Sequence, residues 1–365
     1  MNRGHVFGLD LIRALAVAMV LFTHASFLFV PVAHDLSVFD PWWLPGQLGV
    51  ELFFVLSGFL IGGILAEQAE SGDLDVRQFW VRRWLRTLPN YYLFLVLNLV
   101  FERYATGAWP HAWSYVFFWQ NLAWPNPPFY PESWSLAIEE IFYLVAPLLI
   151  VLARGRLGRW MRPVPLIVLG ILVFTGIRIA YVLHGNPDWD AGVRKVTIVR
   201  LDAIAYGVLA IVLVRRTHLS MRAVAAIACA GLIGTAFCVW VCLAWPRDTS
   251  FFARTFLFNL IPLSFAAFLP IAARWKQSGL PRFAEVAVTR LALWSYALYV
   301  SHLGLLRVLL GLFGWKGATT LECLGQALAY AAMAIALSAL IYRLYERPLL
   351  RWRDAIAPKT APAVA

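Results

Sequence analysis

Residues 8–30 read GLDLIRALAVAMVLFTHASFLFV, a run that is long and apolar enough to cross a bilayer as one helix. Arg13 and His24 interrupt this run. Because each residue turns a helix by about 100°, these two side chains lie within roughly 20° of each other and about 16 Å apart along the axis. Ionisable groups inside a membrane are costly and usually face protein or water. The segment therefore predicts a membrane helix that carries a functional site on one face.

The whole chain has the composition of a polytopic membrane protein. Of its 365 residues, 61% are hydrophobic and only 14% are charged, which excludes an ordinary soluble globular protein. We predict an all-α integral membrane protein, a bundle of about ten transmembrane helices. Apolar windows of suitable length fall near residues 7–30, 47–66, 89–105, 134–153, 164–184, 200–214, 223–245, 254–273, 291–313 and 321–342.

Positive charge is distributed unevenly over the segments between these windows. The chain has 31 Lys and Arg against 20 Asp and Glu, and most of the 31 fall in segments on one side. The positive-inside rule therefore predicts that both termini are cytoplasmic. We interpret the excess of positive charge as an indicator of membrane topology, so we expect no nucleic-acid partner. We assign residues 1–353 to a single transmembrane domain and residues 354–365 to a disordered cytoplasmic tail.

The predicted outer segments are rich in tryptophan and proline, above all between Trp109 and Pro131. Tryptophan rings favour the headgroup level of a membrane, and prolines prevent a continuous helix. This composition predicts a folded cap over the outer mouth. The four cysteines show no CxxC spacing, so the sequence predicts neither a disulfide framework nor a metal site.

An arginine cluster lies in RRWLRTLP, residues 82–89. Two interpretations remain open for Arg82, Arg83 and Arg86. They are either an ordinary cytoplasmic anchor or a binding site for a phosphorylated donor, because guanidinium groups bind phosphate through two parallel hydrogen bonds. Pro89 is expected at the start of the third helix, where it would hold the Arg86 backbone in place.

Other predicted helices also carry polar or small residues. At least one of Glu139 and Glu140 must face away from lipid, and Glu139 either orients an imidazole or pairs with an arginine such as Arg13 or Arg178. His302, in SYALYVSH, is either a hydrogen-bonded core residue or a functional one. Gly58 lies in GVELFFVLSGFLI, where we interpret it as a residue that allows close helix packing.

Together these segments resemble the acyltransferase-3 family, integral membrane acyltransferases that typically O-acetylate bacterial surface glycans and some secondary metabolites. The family's first-helix pattern, an arginine and a histidine separated by ten residues, is similar to Arg13 and His24. The other similar segments follow in order within residues 8–353: GVELFFVLSGFLI, FWVRRWLRTLP, WQNL with Asn121, WSLAIEEIFYL with Trp134 and Ser135, RLDA with Arg200 and Asp202, SYALYVSH with His302, and YERPLLRWR with Glu346.

The resemblance implies a multi-pass protein of the bacterial inner membrane. It implies transfer of an acyl group, most often acetyl from acetyl-CoA, from the cytoplasmic side to a hydroxyl of a cell-surface or exported carbohydrate. The partners would be membrane lipid and a carbohydrate or glycolipid acceptor. We expect the stand-alone form, without the extra helix and the fused periplasmic SGNH-type domain that some members carry.

Acyl transfer to a hydroxyl needs a base near the attacking oxygen and stabilisation of the developing oxyanion. Neutral histidine suits the first requirement. We therefore predict His24 as the general base, Glu139 as its orienting or charge-stabilising partner, and Arg13 as a donor within the channel. The predicted contacts to the CoA phosphates are Arg82, Arg83 and Arg86. Secondary candidates, for the substrate or a relay, are His302, Trp134, Ser135, Asn121, Arg200 and Asp202.

Two alternatives remain open. A transporter or flippase for a glycan or lipid-linked sugar also needs intramembrane Arg, His and Glu, but it does not need an arginine cluster at its inner face. An acyltransferase for a small-molecule glycoside, such as a macrolide, would use the same residues. The sequence leaves open the acceptor, the acyl chain, direct transfer against a covalent acyl-enzyme, and the oligomeric state.

Overall fold

A computed structural model describes residues 6–33, 35–72, 74–157 and 163–358 of the chain. These residues form helices joined by turns, without a strand. The α-helices are α1 Phe7–Ser26, α2 Asp40–Ser71, α3 Val76–Thr106, α4 Trp113–Val116, α5 Ser133–Leu157, α6 Pro163–Gly185, α7 Asp202–Arg216, α8 Met221–Ala244, α9 Phe251–Arg254, α10 Leu257–Ala266, α11 Leu269–Arg274, α12 Arg282–Gly311, α13 Thr320–Ile341 and α14 Arg347–Ile356.

Among the described residues, 8 helical stretches are long and apolar enough to cross a membrane. The predicted windows 89–105 and 200–214 are not among them, and they lie on α3 and α7. Helix α7 has only 15 residues, and the first half of α3 is rich in arginine. The chain is thus an all-α, multi-pass membrane protein as predicted, whereas the count of ten and the cytoplasmic termini stay predictions.

Helix α3 begins much earlier than the sequence predicts. Asp75 caps it by accepting a hydrogen bond from the Gln78 backbone N–H at 2.9 Å. The helix then continues to Gly107, which ends it with a φ of 74°. Pro89 therefore lies inside α3, so the expectation that it starts a helix was wrong. The arginine cluster consequently projects from a continuous helix.

The centre of the bundle is a close crossing of α2 with α7. A Cβ atom on Gly58 would collide with the carbonyl oxygen of Ile204, and one on Gly207 would collide with that of Val55. Only glycine permits such an approach of two backbones, which confirms the interpretation of Gly58 as a packing residue. Helix α1 packs on the other side of α2 and against α12. These contacts fix the helices that carry the site.

Residues 108–132 form a folded cap at one end of the bundle. The Tyr91 hydroxyl of α3 donates to the Tyr115 carbonyl at 2.8 Å, and Arg307 of α12 donates to the Phe129 carbonyl at 2.9 Å. These bonds tie the cap to two long helices. Its tryptophans are exposed, as expected for rings at a membrane surface.

Helix α14 packs against α3 at the opposite end. Arg82 donates to the Asp354 carboxylate at 2.9 Å and also to the Ala357 carbonyl. The helix extends to Ile356, and residues 359–365 of the predicted tail lie outside the described residues.

Candidate active site

Two cavities lie end to end along α1 and α2. The larger has a volume of about 770 Å³ and is lined by Arg13, Arg83 and Arg86; we call it the arginine cavity. The smaller has a volume of about 230 Å³ and is lined by His24 and His302; we call it the histidine cavity. The first-helix pattern therefore spans both cavities, with its arginine in one and its histidine in the other.

The two cavities share two wall residues, Val50 and Tyr299, which we call the partition. The Tyr299 hydroxyl lies 2.5 Å from the Ser135 Oγ atom and 3.4 Å from the Glu132 carbonyl oxygen. The partition is therefore anchored to the start of α5. The two cavities adjoin at these two side chains.

His24 and His302 are in direct contact. The His302 Nε2 atom lies 3.2 Å from the His24 Nδ1 atom, and the ring centroids are 4.7 Å apart. His302 is 1% exposed, and its Nδ1 atom lies 2.7 Å from the Tyr299 carbonyl oxygen and 3.1 Å from that of Leu298. The His24 Nδ1 atom lies 2.8 Å from the Val20 carbonyl oxygen.

These distances assign the protons of the neutral pair. A carbonyl oxygen only accepts hydrogen bonds, so the Nδ1 atoms of both His24 and His302 carry hydrogen. The His302 Nε2 atom is then an acceptor, and it shares the His24 Nδ1 hydrogen with the Val20 carbonyl. The His24 Nε2 atom is left with a free lone pair. A base at His24 thus acts through Nε2, with a fixed tautomer.

The histidine cavity also carries charged side chains from the turn after α6. Asp190 accepts from the Arg194 Nε atom at 2.6 Å and from the Lys195 Nζ atom at 2.5 Å. Burial alone would raise the pKa of Asp190, but the two cations hold it below its usual range. Arg194 also lies over the Trp134 ring, 4.6 Å from its centroid. One carboxylate therefore pairs with two cationic side chains in this wall.

Glu132 is another acid in this wall, and burial raises its pKa to about 7. It precedes the first residue of α5 and is 6% exposed. Both of its carboxylate oxygens are buried and have no hydrogen-bond partner among the described residues. A buried carboxyl group without a hydrogen-bond partner is rare in native proteins.

In the arginine cavity, Arg83 is held by a tyrosine and an acid. Its Nη2 atom donates to the Tyr143 hydroxyl at 2.5 Å and lies 3.8 Å from the Glu139 Oε2 atom. The Tyr143 hydroxyl in turn donates to Glu139 at 2.8 Å, and the Arg83 guanidinium lies 4.0 Å from the Tyr143 ring centroid. These contacts fix the Arg83 guanidinium in the wall of the cavity.

The charges of the arginine cavity favour an anion. Four arginines line it against three acids. Asp10 lies 3.7 Å from Arg13, and Glu346 accepts from Asn90 at 3.0 Å. A positive surplus next to fixed guanidinium groups attracts and orients phosphate. The lining charged residues are Asp10, Arg13, Arg83, Arg86, Glu139, Glu346 and Arg353.

The structure separates several residues that the sequence grouped. Glu139, predicted to orient His24, instead contacts Arg83 and Tyr143 in the other cavity. Its alternative role, pairing with an arginine, is the one observed, although the arginine is Arg83 and not Arg13. Arg82, predicted to contact CoA phosphates, anchors α14 and is not part of the cavity wall.

Of the secondary candidates, His302 and Trp134 line the histidine cavity and Ser135 lines the arginine cavity. Asn121 acts behind the wall, where its Nδ2 atom donates to the Trp134 carbonyl at 3.0 Å and to the Lys195 carbonyl at 2.6 Å. It therefore joins the cap to two elements of the histidine cavity.

Arg200 and Asp202 lie in the protein core, away from both cavities. Arg200 pairs with Glu51 at 2.5 Å, and Asp202 pairs with Arg178 at 2.8 Å. Arg200, Asp202 and Arg178 are fully buried. Arg178 also donates to the Val199 carbonyl at 2.7 Å. Such hydrogen-bonded pairs tie the start of α7 to α2 and α6, and neither residue lines a cavity.

Sequence reasoning missed Tyr299 and Glu132, which line the cavities, and Tyr143, which lies behind the wall of the arginine cavity and holds Arg83. Tyr299 precedes His302 by three positions, so helical periodicity places both on one face. Tyr143 follows Glu139 by four positions and could have been found in the same way. Glu132 gave no periodic signal, because it lies just before the helix.

Comparison with known proteins adds the family. A family model described as an acyltransferase domain, Acyl_transf_3, matches residues 6–343. The chain belongs to the acyltransferase-3 family. This confirms the resemblance that the sequence segments indicated. No solved structure matches the chain.

Several curated relatives are named O-acetyltransferases. Peptidoglycan O-acetyltransferase OatA of Listeria monocytogenes is 30% identical over 211 residues, which cover 51% of this chain and 31% of the relative. "Putative peptidoglycan O-acetyltransferase YrhL" of Bacillus subtilis is 33% identical over 176 residues, 41% of this chain and 25% of the relative. "Putative O-acetyltransferase SACOL0978" of Staphylococcus aureus is 29% identical over 227 residues, 55% of this chain and 34% of the relative. The matched region spans only about a third or less of each relative.

Proposed function

We propose that this chain transfers an acetyl group from acetyl-CoA to a hydroxyl of a cell-surface or exported carbohydrate. The observation that carries the proposal is the arrangement of the two cavities. A histidine with a free Nε2 lone pair lines one, a surplus of guanidinium groups lines the other, and the two cavities adjoin at the partition. A base and an anion site in adjoining cavities are the arrangement that direct transfer from a CoA thioester to an alcohol requires.

The donor occupies the arginine cavity. Its volume of about 770 Å³ lies in the range of about 300–1,000 Å³ usual for small-molecule sites. Arg83 and Arg86 bind the phosphates of CoA, and the acyl arm extends toward Tyr299 and Ser135. With the predicted orientation in a bacterial inner membrane, this cavity faces the cytoplasm, where acetyl-CoA is available.

The acceptor hydroxyl occupies the histidine cavity and attacks the thioester carbonyl carbon at the partition, where the Val50 and Tyr299 side chains turn aside to let the two substrates meet. The His24 Nε2 atom takes the hydroxyl proton while the new C–O bond forms. The C–S bond then breaks, and the CoA thiolate recovers the proton from the imidazolium. Tyr299 belongs to the partition and is hydrogen-bonded to Ser135; either hydroxyl would stabilise the oxyanion by turning its hydrogen away from its present acceptor.

The names of the relatives support a carbohydrate acceptor, because two of them contain the words peptidoglycan O-acetyltransferase. The histidine cavity, at about 230 Å³, encloses only part of a large acceptor. This suits a glycan that presents one sugar at a time.

The test uses purified full-length chain, acetyl-CoA labelled in the acetyl group, and isolated cell-surface glycans, with mass spectrometry of the products. Transfer of label to glycan with release of free CoA supports the proposal. Movement of glycan across reconstituted vesicles without label transfer would instead establish the transporter alternative.

The matched variants are His24→Ala and His184→Ala. His184 is an exposed histidine at the end of α6 that lines neither cavity. We expect about a 10²- to 10⁴-fold loss of kcat for the first, as for removal of a general base, and no change for the second. Undiminished transfer by His24→Ala protein contradicts the assignment of the base.

A further inference from the structure

The carboxyl group of Glu132 is a polar group without a partner in the wall that holds the two histidines. Both oxygens are buried, and neither has a hydrogen-bond partner among the described residues. An unsatisfied buried acid is costly, and native proteins keep one where something else completes it. The cost indicates that a ligand supplies the missing donors.

The backbone of Glu132 is fixed in place. Its carbonyl oxygen lies 3.3 Å from the donating Ser135 Oγ atom and 3.4 Å from the donating Tyr299 hydroxyl. The next residue, Ser133, donates to the Tyr130 carbonyl at 2.6 Å. The carboxyl group is therefore held at the base of α5, next to the partition.

The cations near Glu132 are already engaged elsewhere. Arg194 and Lys195 both bind Asp190. Arg307 donates to the carbonyls of cap residues 128 and 129. Other titratable groups around this acid are Tyr130, Tyr299, His24 and His302. No cation of the cavity wall is left to neutralise the Glu132 carboxylate directly.

We infer that Glu132 recognises the acceptor: its side chain turns from its buried position into the histidine cavity, and its two carboxylate oxygens accept hydrogen bonds from neighbouring hydroxyls of a sugar ring. This inference rests on the proposed function and names the residue that chooses which hydroxyl faces the His24 Nε2 atom. Glu132 is a positioning residue, since the proton of the reaction goes to His24.

The remaining wall suits a sugar ring. Trp43, Trp134 and Phe27 line the same cavity, and aromatic side chains suit packing against the C–H face of a pyranose. A few convergent polar groups among apolar walls are the usual means of orienting a small ligand. Glu132 supplies the acceptors that such an orientation needs.

The test compares wild-type and Glu132→Gln protein in lipid nanodiscs, with acetyl-CoA and a panel of methyl glycosides of hexoses, N-acetylhexosamines and uronic acids. Glutamine keeps the shape of the side chain but replaces one acceptor with a donor. We expect the KM for the best glycoside to rise about 10- to 100-fold, because hydrogen bonds to a charged group are lost. The KM for acetyl-CoA should not change, which also shows that the variant is folded.

Monodeoxy derivatives of that glycoside identify the bonded hydroxyls. Removing a hydroxyl that Glu132 binds should weaken the wild type by a similar factor and leave Glu132→Gln protein almost unaffected, which is the signature of a direct pair. A Glu102→Gln variant is the control, since Glu102 lies on α3 outside both cavity walls.

Three results would contradict the role of Glu132. An unchanged KM for the glycoside in Glu132→Gln protein overturns the inference, and so do deoxy effects equal in both proteins. Absence of transfer by the wild type to every glycoside and to isolated peptidoglycan refutes the proposed function itself, and with it this inference.

Discussion

His302 should accelerate transfer by accepting the His24 Nδ1 hydrogen, and two substitutions separate this role from simple packing. In His302→Asn, the amide takes the place of the ring Nδ1 atom near the Tyr299 and Leu298 carbonyls, and the acceptor 3.2 Å from His24 is lost. In His302→Gln, the longer side chain places an amide oxygen near the former Nε2 position and keeps that acceptor.

The magnitude follows from the change in His24 during the reaction. A hydrogen bond between neutral groups contributes about 1 kcal/mol, and one from a charged donor contributes about 1.5–3 kcal/mol. Only the gain on forming the imidazolium lowers the barrier. A gain of about 1 kcal/mol corresponds to about a fivefold change in kcat. The 2.8 Å bond from His24 to the Val20 carbonyl remains and keeps the tautomer fixed, so the loss stays modest.

The assay is kcat for acetyl transfer at saturating donor and acceptor. We expect about a fivefold lower kcat for His302→Asn and less than a twofold change for His302→Gln, with both KM values near those of the wild type. Equal rates in the two variants, or a wild-type rate in His302→Asn, would refute the reasoning.

Three further outcomes are expected. Arg83→Ala should raise the KM for acetyl-CoA about tenfold or more by removing a phosphate contact, whereas Arg82→Ala should leave that KM unchanged; equal KM values in the two variants would contradict the donor site. Gly58→Ala should lower the melting temperature of the purified protein more than Gly63→Ala, because a Cβ on Gly58 meets backbone while one on Gly63 lies 3.5 Å from the nearest side-chain atom. The acceptor KM should rise as the pH falls below about 7, because the raised pKa of Glu132 leaves the carboxyl protonated there and unable to accept two hydrogen bonds; Glu132→Gln protein should lose this dependence, and a pH-independent KM in the wild type would contradict it.

The helical membrane fold could be predicted from composition, because apolar windows of span length reflect a single physical requirement of the bilayer. The two predicted windows that are not among the candidate spans lie on α3 and α7, where polar residues are paired inside the protein. Arg200 and Asp202 show this clearly, since both are neutralised by partners far away in sequence. Pairing that depends on tertiary contacts leaves no trace in a hydropathy window.

The candidate site could be predicted from the sequence only in part. Arg13 and His24 can be identified from the sequence because one helix carries both. Gly58 can be identified because small residues are typical of close helix contacts. His302 and His24 lie 278 positions apart in the chain and on different helices, so no spacing within either helix reveals their contact. Glu139 was assigned to the wrong neighbour because adjacent helices could not be placed. Sequence thus identified polar residues more reliably than their partners.

The partition has a consequence for the energetics of the cell. Because Val50 and Tyr299 are the two residues that line both cavities, the separation between the cavities depends on the bulk of these two side chains. A small residue at either position would join two wet compartments into one aqueous passage. With the predicted orientation in a bacterial inner membrane, cells that make such a variant would leak protons and lose membrane potential, so the bulk of these two side chains would serve bioenergetic insulation as well as chemistry.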